Sequence, residues 1–225
     1  LGIPAERVTV SGIPIDQTFI RPIDREEACR RMGLNPELPI VLLSAGAAGT
    51  EQTEFMVERL MDLPGHVQLV AVCGLNETLR ERINRISKQT FRAVRVLGYT
   101  DEMSTLMKIA DLFIGKPGGM TSAEAISVGL PMCIVNPIPG QEERNSDHLL
   151  EQGIAIKCND LTVLPFKVTS LLEDPLRLAR MRASAIRFSK PDAASKVVST
   201  LLEDDLPAHS ITPFARAPGM GSRSI

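Results

Sequence analysis

The sequence predicts an α/β fold, a doubly wound parallel sheet of about six strands. Two observations carry that prediction. From about residue 39 short apolar runs rich in strand-forming residues alternate with longer helical segments, the order of parallel βαβ units. The chain is also long and apolar enough, at 225 residues and 44% hydrophobic, to bury one large core or two small ones.

The elements follow in order. PIVLLSAG is a strand and EQTEFMVERLMDL a helix; HVQLVAVCG is a second strand, followed by NETLRERINRIS as a polar-faced helix. AVRVLGY and MSTLMKIA make the third strand and its helix. ADLFIGK, LPMCIVN and GIAIKC read as further strands, separated by the helix TSAEAISVG and by IPGQEERNSDHLLEQG, a loop that runs into a helix. From Leu161 onward the chain continues as helices, with Pro165, Pro175 and Pro191 at breaks or first turns. Before the sheet, GIPAERVTVSGIPIDQTF reads as an extended segment punctuated by proline, and Leu1 opens the chain without methionine, as if it were the back part of something longer. The expected organisation is a linker over 1–20, one domain over 21–206 and a disordered tail over 207–225, where proline, glycine and serine lack periodicity.

Composition narrows the function. A formal charge of −2 without a basic block gives no electrostatic footprint for nucleic acid. Cys29, Cys73, Cys133 and Cys158 are scattered, with neither C-x-x-C spacing nor neighbouring histidines, so a zinc site or disulfide framework is not suggested and reduced thiols in a cytoplasmic protein are expected. No apolar stretch approaches the roughly 20 residues of a membrane span. His66, His148 and His209 have no nucleophile or carboxylate at a telling spacing.

In open α/β sheets ligands bind beyond the carboxyl ends of the strands, so four loops are candidates. SAGAAG, residues 44–49, follows the first strand and could turn its amides to a phosphate, although such turns also need glycine for geometry alone. GKPGGMTSAEA, residues 115–125, is richer. Pro117 leaves the chain extended, Gly118 and Gly119 remove side-chain bulk, and Met120 and Thr121 begin a helix whose free amides would face a diphosphate. Glu124, one turn inside, either caps that helix or accepts two hydroxyl protons from a ribose diol. In PIPGQEERN, Gln141, Glu142 and Asn145 could recognise sugar hydroxyls; equally, they belong to a solvated loop opening a helix, with Asn145 inside it. LGYTDEM ends the third strand; its backbone could pair with a planar base, but Asp101 as helix N-cap with Met103 turned into the core is the reading its residues favour.

Together the string K-P-G-G-x-T-x-x-E-A…G-x-P…P-x-P-G-Q-E-x-x-N resembles the carboxyl-terminal domain of GT-B glycosyltransferases. The resemblance is to the monogalactosyldiacylglycerol synthase and processive diacylglycerol glucosyltransferase family, related to the peptidoglycan lipid-intermediate GlcNAc transferase. It covers about Val8 to Leu202. It implies a Rossmann-like carboxyl-terminal half of a GT-B fold that binds a UDP-sugar, with UDP-glucose or UDP-galactose as donor and diacylglycerol or a similar lipid as acceptor. Gly118, Gly119, Met120 and Thr121 then correspond to the diphosphate-binding helix start and Glu124 to the ribose-binding acid. Gln141 and Glu142 correspond to the donor-sugar contacts, Asn145 to a further loop asparagine, Gly46 to the loop over the phosphates, and Tyr99 and Thr100 to the segment beside uracil. The resemblance implies no cofactor and no bound metal, because helix amides supply the charge stabilisation, and no D-x-D pair is present. It further implies that the acceptor site, the membrane contact at the inner face and the catalytic base belong to an amino-terminal domain preceding Leu1, so that this chain holds no catalytic residue and binds donor without transferring sugar. The alternatives are a UDP-GlcNAc 2-epimerase-like enzyme, against which P-x-P-G-Q-E-x-x-N speaks, and a non-catalytic nucleotide-sugar-binding module.

Overall fold

The computed structural model describes residues 3–44, 46, 51–88 and 94–203. The expected tail over 207–225 and most of SAGAAG lie outside them. Six strands form one sheet: β1 (Ile40–Ser44), β2 (Gln68–Val72), β3 (Val94–Leu97), β4 (Leu112–Gly115), β5 (Met132–Val135) and β6 (Ala155–Cys158). Every pair is parallel and the order is β3-β2-β1-β4-β5-β6, the doubly wound sheet that the alternating pattern predicts.

Side-chain alternation divides the core in two. Ile40, Leu42, Phe113, Met132 and Ile134 point to one face, where they meet Met32, Leu106, Ile109 and Leu149. Val41, Leu43, Leu112, Ile114, Cys133 and Val135 point to the other, against Val57, Leu60, Ile83, Val168 and Leu171. With helices on both faces, the central strands are buried along their length except at Ser44, which is why they read as continuous apolar runs.

The helices are α1 (Arg25–Arg31), α2 (Glu51–Leu60), α3 (Glu77–Lys88), α4 (Met103–Ile109), α5 (Gly119–Ser127), α6 (Gln141–Glu151), α7 (Leu164–Leu172), α8 (Pro175–Phe188) and α9 (Ala193–Glu203). Pro165 and Pro175 fall in the first turns of α7 and α8, and Pro191 in the link to α9, as their missing amides require. The sequence reading passed over α1, whose signals are local: Asp24 accepts the Glu27 amide at 3.1 Å, acids fill the first turn and arginines the last. It also placed the cap of α4 one residue early. Glu102, not Asp101, holds the N-cap position, and its carboxylate pairs with Arg31 at 3.0 Å instead of capping, whereas Met103 does pack on the core.

The leading segment has no strand or α-helix over its described residues up to Asp24, only short turns at Ala5–Arg7 and Gln17–Phe19. It is sewn to the body at three points. Lys108 Nζ donates to the Thr18 carbonyl and, at 2.6 Å, to that of Arg21. Lys196 of α9 donates to the Val10 carbonyl at 2.9 Å. Gly12, at φ +89°, lies so near Lys190 that a Cβ would stand 2.7 Å from the lysine Cβ. At the amino ends of the strands Asp111 holds three groups: Arg25 at 3.0 Å, Arg182 at 2.8 Å and the Ile40 amide at 3.0 Å.

Candidate nucleotide-sugar site

The sheet order reverses between β1 and β4: β2 and β3 extend one way, β5 and β6 the other. Chains leaving the carboxyl ends of β1 and β4 therefore diverge, and the crevice between them is where such sheets take ligands. Ser44, Gln52, Gly115, Lys116, Val135 and Asn136 line a small hollow there. Gly46 is exposed at φ +71°, with its amide 3.4 Å from Ser44 Oγ, so it stands in the loop beyond β1 at this crevice.

Beyond β4 the chain runs through Lys116 and Pro117 into α5. The N-cap is Gly118 and the first helical residue Gly119, two positions earlier than the expected helix TSAEAISVG. No side chain caps this end, and the amides of Gly119, Met120 and Thr121 have no acceptor among the described residues. Gly118 has φ −61° and ψ 151°, a conformation open to any residue, and a Cβ there would meet nothing nearer than Thr121 Oγ1 at 3.9 Å. Neither backbone strain nor packing demands glycine at this position. Gly118 instead leaves clear space against three free N–H groups and the positive end of a helix.

Glu124 lies in the second turn of α5, and no acidic residue occupies the first, so the capping alternative fails. Its carboxyl group is half-buried and makes no hydrogen bond or ion pair among the described residues; burial raises its pKa above the ordinary glutamate value. A half-buried carboxylate without donors is suited to a ligand that brings them.

Gln141 and Glu142 are the first residues of α6, whose N-cap is Gly140, φ +103°, beyond β5. A second helix start therefore faces the same end of the sheet. The Gln141 side-chain Nε2 lies 3.6 Å from where a Gly119 Cβ would stand, so α6 and α5 meet at Gly119. Glu142 Oε2 accepts the Ile138 amide at 2.7 Å and so holds the loop before it. Asn145, inside α6 as its neighbours predict, donates from Nδ2 to the Pro117 carbonyl at 2.9 Å and anchors the turn that precedes α5. Tyr99 and Thr100 follow β3, the edge strand three places from β4; Tyr99 is exposed, and Thr100 Oγ1 accepts the Glu102 amide at 3.1 Å.

Sequence reasoning assigned no role to Lys116 or Ile13. Lys116 is the cation among the residues that line the crevice, without an ion pair among the described residues, and it lies in the turn between β4 and α5. Ile13 comes within 3.4 Å of the Gly119 Cβ position although more than a hundred residues separate them, a proximity that no local pattern carries. Among the described residues no group of three or more His, Cys, Asp or Glu could hold a metal ion, and no helix is long and apolar enough to cross a membrane.

The comparisons with known proteins bear on the fold and the family. Processive diacylglycerol beta-glucosyltransferase from Bacillus cytotoxicus is 30% identical over 206 residues, 91% of this chain and 53% of that protein, so the chain spans about half the length of such relatives. The fold is similar to that of Acinetobacter baumannii MurG, with TM-score 0.63 and 20% identity over 82% of this chain and 55% of that one. It is also similar to UDP-GlcNAc 2-epimerase from Neisseria meningitidis bound to UDP-GlcNAc, with TM-score 0.61 and 18% identity over 80% and 48% of the two chains. The model of the glycosyltransferase family 28 C-terminal domain matches residues 41–197, from β1 into α9, and the chain therefore belongs to that family.

Proposed function

We propose that this chain is the donor-binding part of a glycosyltransferase that moves a hexose from UDP-glucose or UDP-galactose to diacylglycerol or a similar lipid. The observation that carries the reading is the start of α5, where two glycines required by neither conformation nor packing leave three free amides open to a diphosphate, with the unpartnered Glu124 in the next turn. The amides of α5 and the Lys116 ammonium stabilise the negative charge that grows on UDP as the glycosidic bond breaks. Glu124 accepts the two ribose hydroxyls, Gln141 and Glu142 face the hexose, and Tyr99 and Thr100 border uracil. In this reading UDP-sugar is a substrate and no cofactor takes part. The acceptor lipid and the catalytic base belong to the rest of the whole protein, which works peripherally at the inner face of the membrane. The segment P-x-P-G-Q-E-x-x-N favours transfer over epimerisation. The lean toward glucose rests on the K-P-G-G form of the turn and on the identity to glucosyltransferases.

Glu124→Ala tests the ribose contact. Two hydroxyl contacts to a charged acceptor are each worth about 1.5–3 kcal/mol, so UDP affinity should fall at least about tenfold by calorimetry. Uridine should lose binding in the same way, whereas a dideoxy-UDP lacking both ribose hydroxyls should bind variant and parent alike. Equal loss for the dideoxy ligand would mean that Glu124 acts through its helix, and the assignment would fail.

A further inference from the structure

We infer that a second site, on the opposite side of α5 from Glu124, holds one acyl chain of an ester lipid, with its carbonyl oxygen accepting a hydrogen bond from Ser122. A cavity of about 360 Å³ opens between the leading segment, α5, α6 and the end of α8. Ile13 and Ile15 form one wall, Ile126 and Leu149 another, and Phe188 a third, set edge-on to His148 at 5.9 Å. On α5 the cavity takes Gly119, Ser122, Ala123 and Ile126, the spacing of a single helix face. Glu124 is two residues from Ser122, about 200° around the axis, so cavity and ribose site share the helix without overlapping.

Two features select the occupant. The walls are apolar apart from a few groups, so water is a poor filling and hydrocarbon a good one. Ser122, 7% exposed, also lines the cavity, and its Oγ has no hydrogen-bond partner among the described residues. A buried hydroxyl without an acceptor is a deficit that a ligand can make good. An acyl ester brings both requirements in one molecule, a carbonyl acceptor followed by an apolar chain. The volume lies at the small end for ligand sites, enough for part of one chain and not for a whole two-chain lipid. Gly119 borders the cavity and also meets Gln141, so a lipid held here lies next to the donor turn. The inference rests on the proposed lipid acceptor, whose reacting hydroxyl stays with the rest of the whole protein, and it adds a surface on the donor-binding domain that takes part of one acyl chain.

The test uses monolauroylglycerol below its micelle concentration, titrated into the chain and followed by heteronuclear NMR, with UDP titrated separately. The parent should bind the ester saturably, with shifts centred on Ser122 and Ile126. Ile126→Trp, which fills the cavity, should weaken that binding roughly tenfold or more while UDP affinity stays at the parent value. Ser122→Ala should weaken ester binding by about three- to tenfold and leave the dodecyl glyceryl ether, which has no carbonyl, unchanged. Absence of saturable ester binding, parent-like binding by Ile126→Trp, or equal loss of ester and ether in Ser122→Ala would each overturn the inference. Laurate binding that matches the ester and ignores Ser122→Ala would overturn it too, since Lys190 at the rim would then be taking a carboxylate. Should Ile126→Trp fail to fold, the ester and ether comparison in Ser122→Ala decides. Loss of UDP binding in the parent sinks the donor reading instead and leaves the lipid titrations to stand by themselves.

Discussion

Gly118 separates a residue kept for folding from one kept for a ligand. A methyl group at an ordinary φ, 3.9 Å from its nearest neighbour, meets no clash and restricts the unfolded chain, which offsets the poorer standing of alanine at an N-cap. Gly118→Ala should therefore change stability by no more than about 1 kcal/mol in denaturant titration. UDP affinity should fall, because the methyl group occupies the space before the free amides. A loss of stability with unchanged affinity would count against the site. Glu124 yields a prediction with a sign. Burial raises its folded pKa above the ordinary glutamate value, so the folded chain holds this proton at pH values where the unfolded chain has released it. The contribution to stability is fully present below the unfolded pKa and is lost as pH rises through the folded one. Glu124→Gln should remove that decline and melt higher than the parent at neutral pH. Uridine has no phosphate to titrate, and its diol favours the ionised carboxylate. Its affinity for the parent should rise with pH over the same window, and its affinity for Glu124→Gln should stay flat.

At the scale of elements, the site is two helix starts held in register. The amino ends of α5 and α6 meet because β4 and β5 are neighbours, and Asn145 in α6 fixes the turn ahead of α5 through the Pro117 carbonyl at 2.9 Å. Asn145→Ala should cost about 0.5–1.5 kcal/mol of stability and lower UDP affinity several-fold by loosening that turn. Asn145→Asp should be worse on both measures, since a carboxylate has no proton to offer the carbonyl. Identical behaviour of the two variants would show that the bond does not position the turn. The strands were legible in the sequence because burial on both faces leaves unbroken apolar runs, and the glycine pair because glycine beside a predicted helix start is costly unless used. α1 is seven residues of mostly charged side chains, and its apolar face is too short to make a period, although Asp24 and the charge order mark its ends. By residue type Asp101 is the better cap, but α4 begins one residue later, and Arg31, which pairs with Glu102 there, comes from another element.

At the scale of the whole molecule, function and stability occupy opposite ends of the sheet. The carboxyl ends carry the crevice, while the amino ends are tied by Asp111 to α1, β1 and α8. Both arginines and the carboxylate are partly exposed, so the ion pairs are modest, but the Ile40 amide loses its acceptor with them. Asp111→Ala should cost about 1–3 kcal/mol in chemical denaturation and leave UDP affinity unchanged. A parallel loss of affinity would mean that the two ends are coupled through the strands.

The sequence by itself determined the alternation of strands and helices, the proline-marked helix starts late in the chain, and the string of loop residues that names the family. Each is a property of neighbours along the chain: apolar spacing, a missing amide, a glycine without a side chain. Only the tertiary structure decided that Ile13 reaches Gly119, that Glu124 is half-buried without a hydrogen bond or ion pair among the described residues, and that Ser122 lines a cavity. These are relations between segments far apart in sequence, and their distances are set by sheet order and helix packing, which no local pattern encodes.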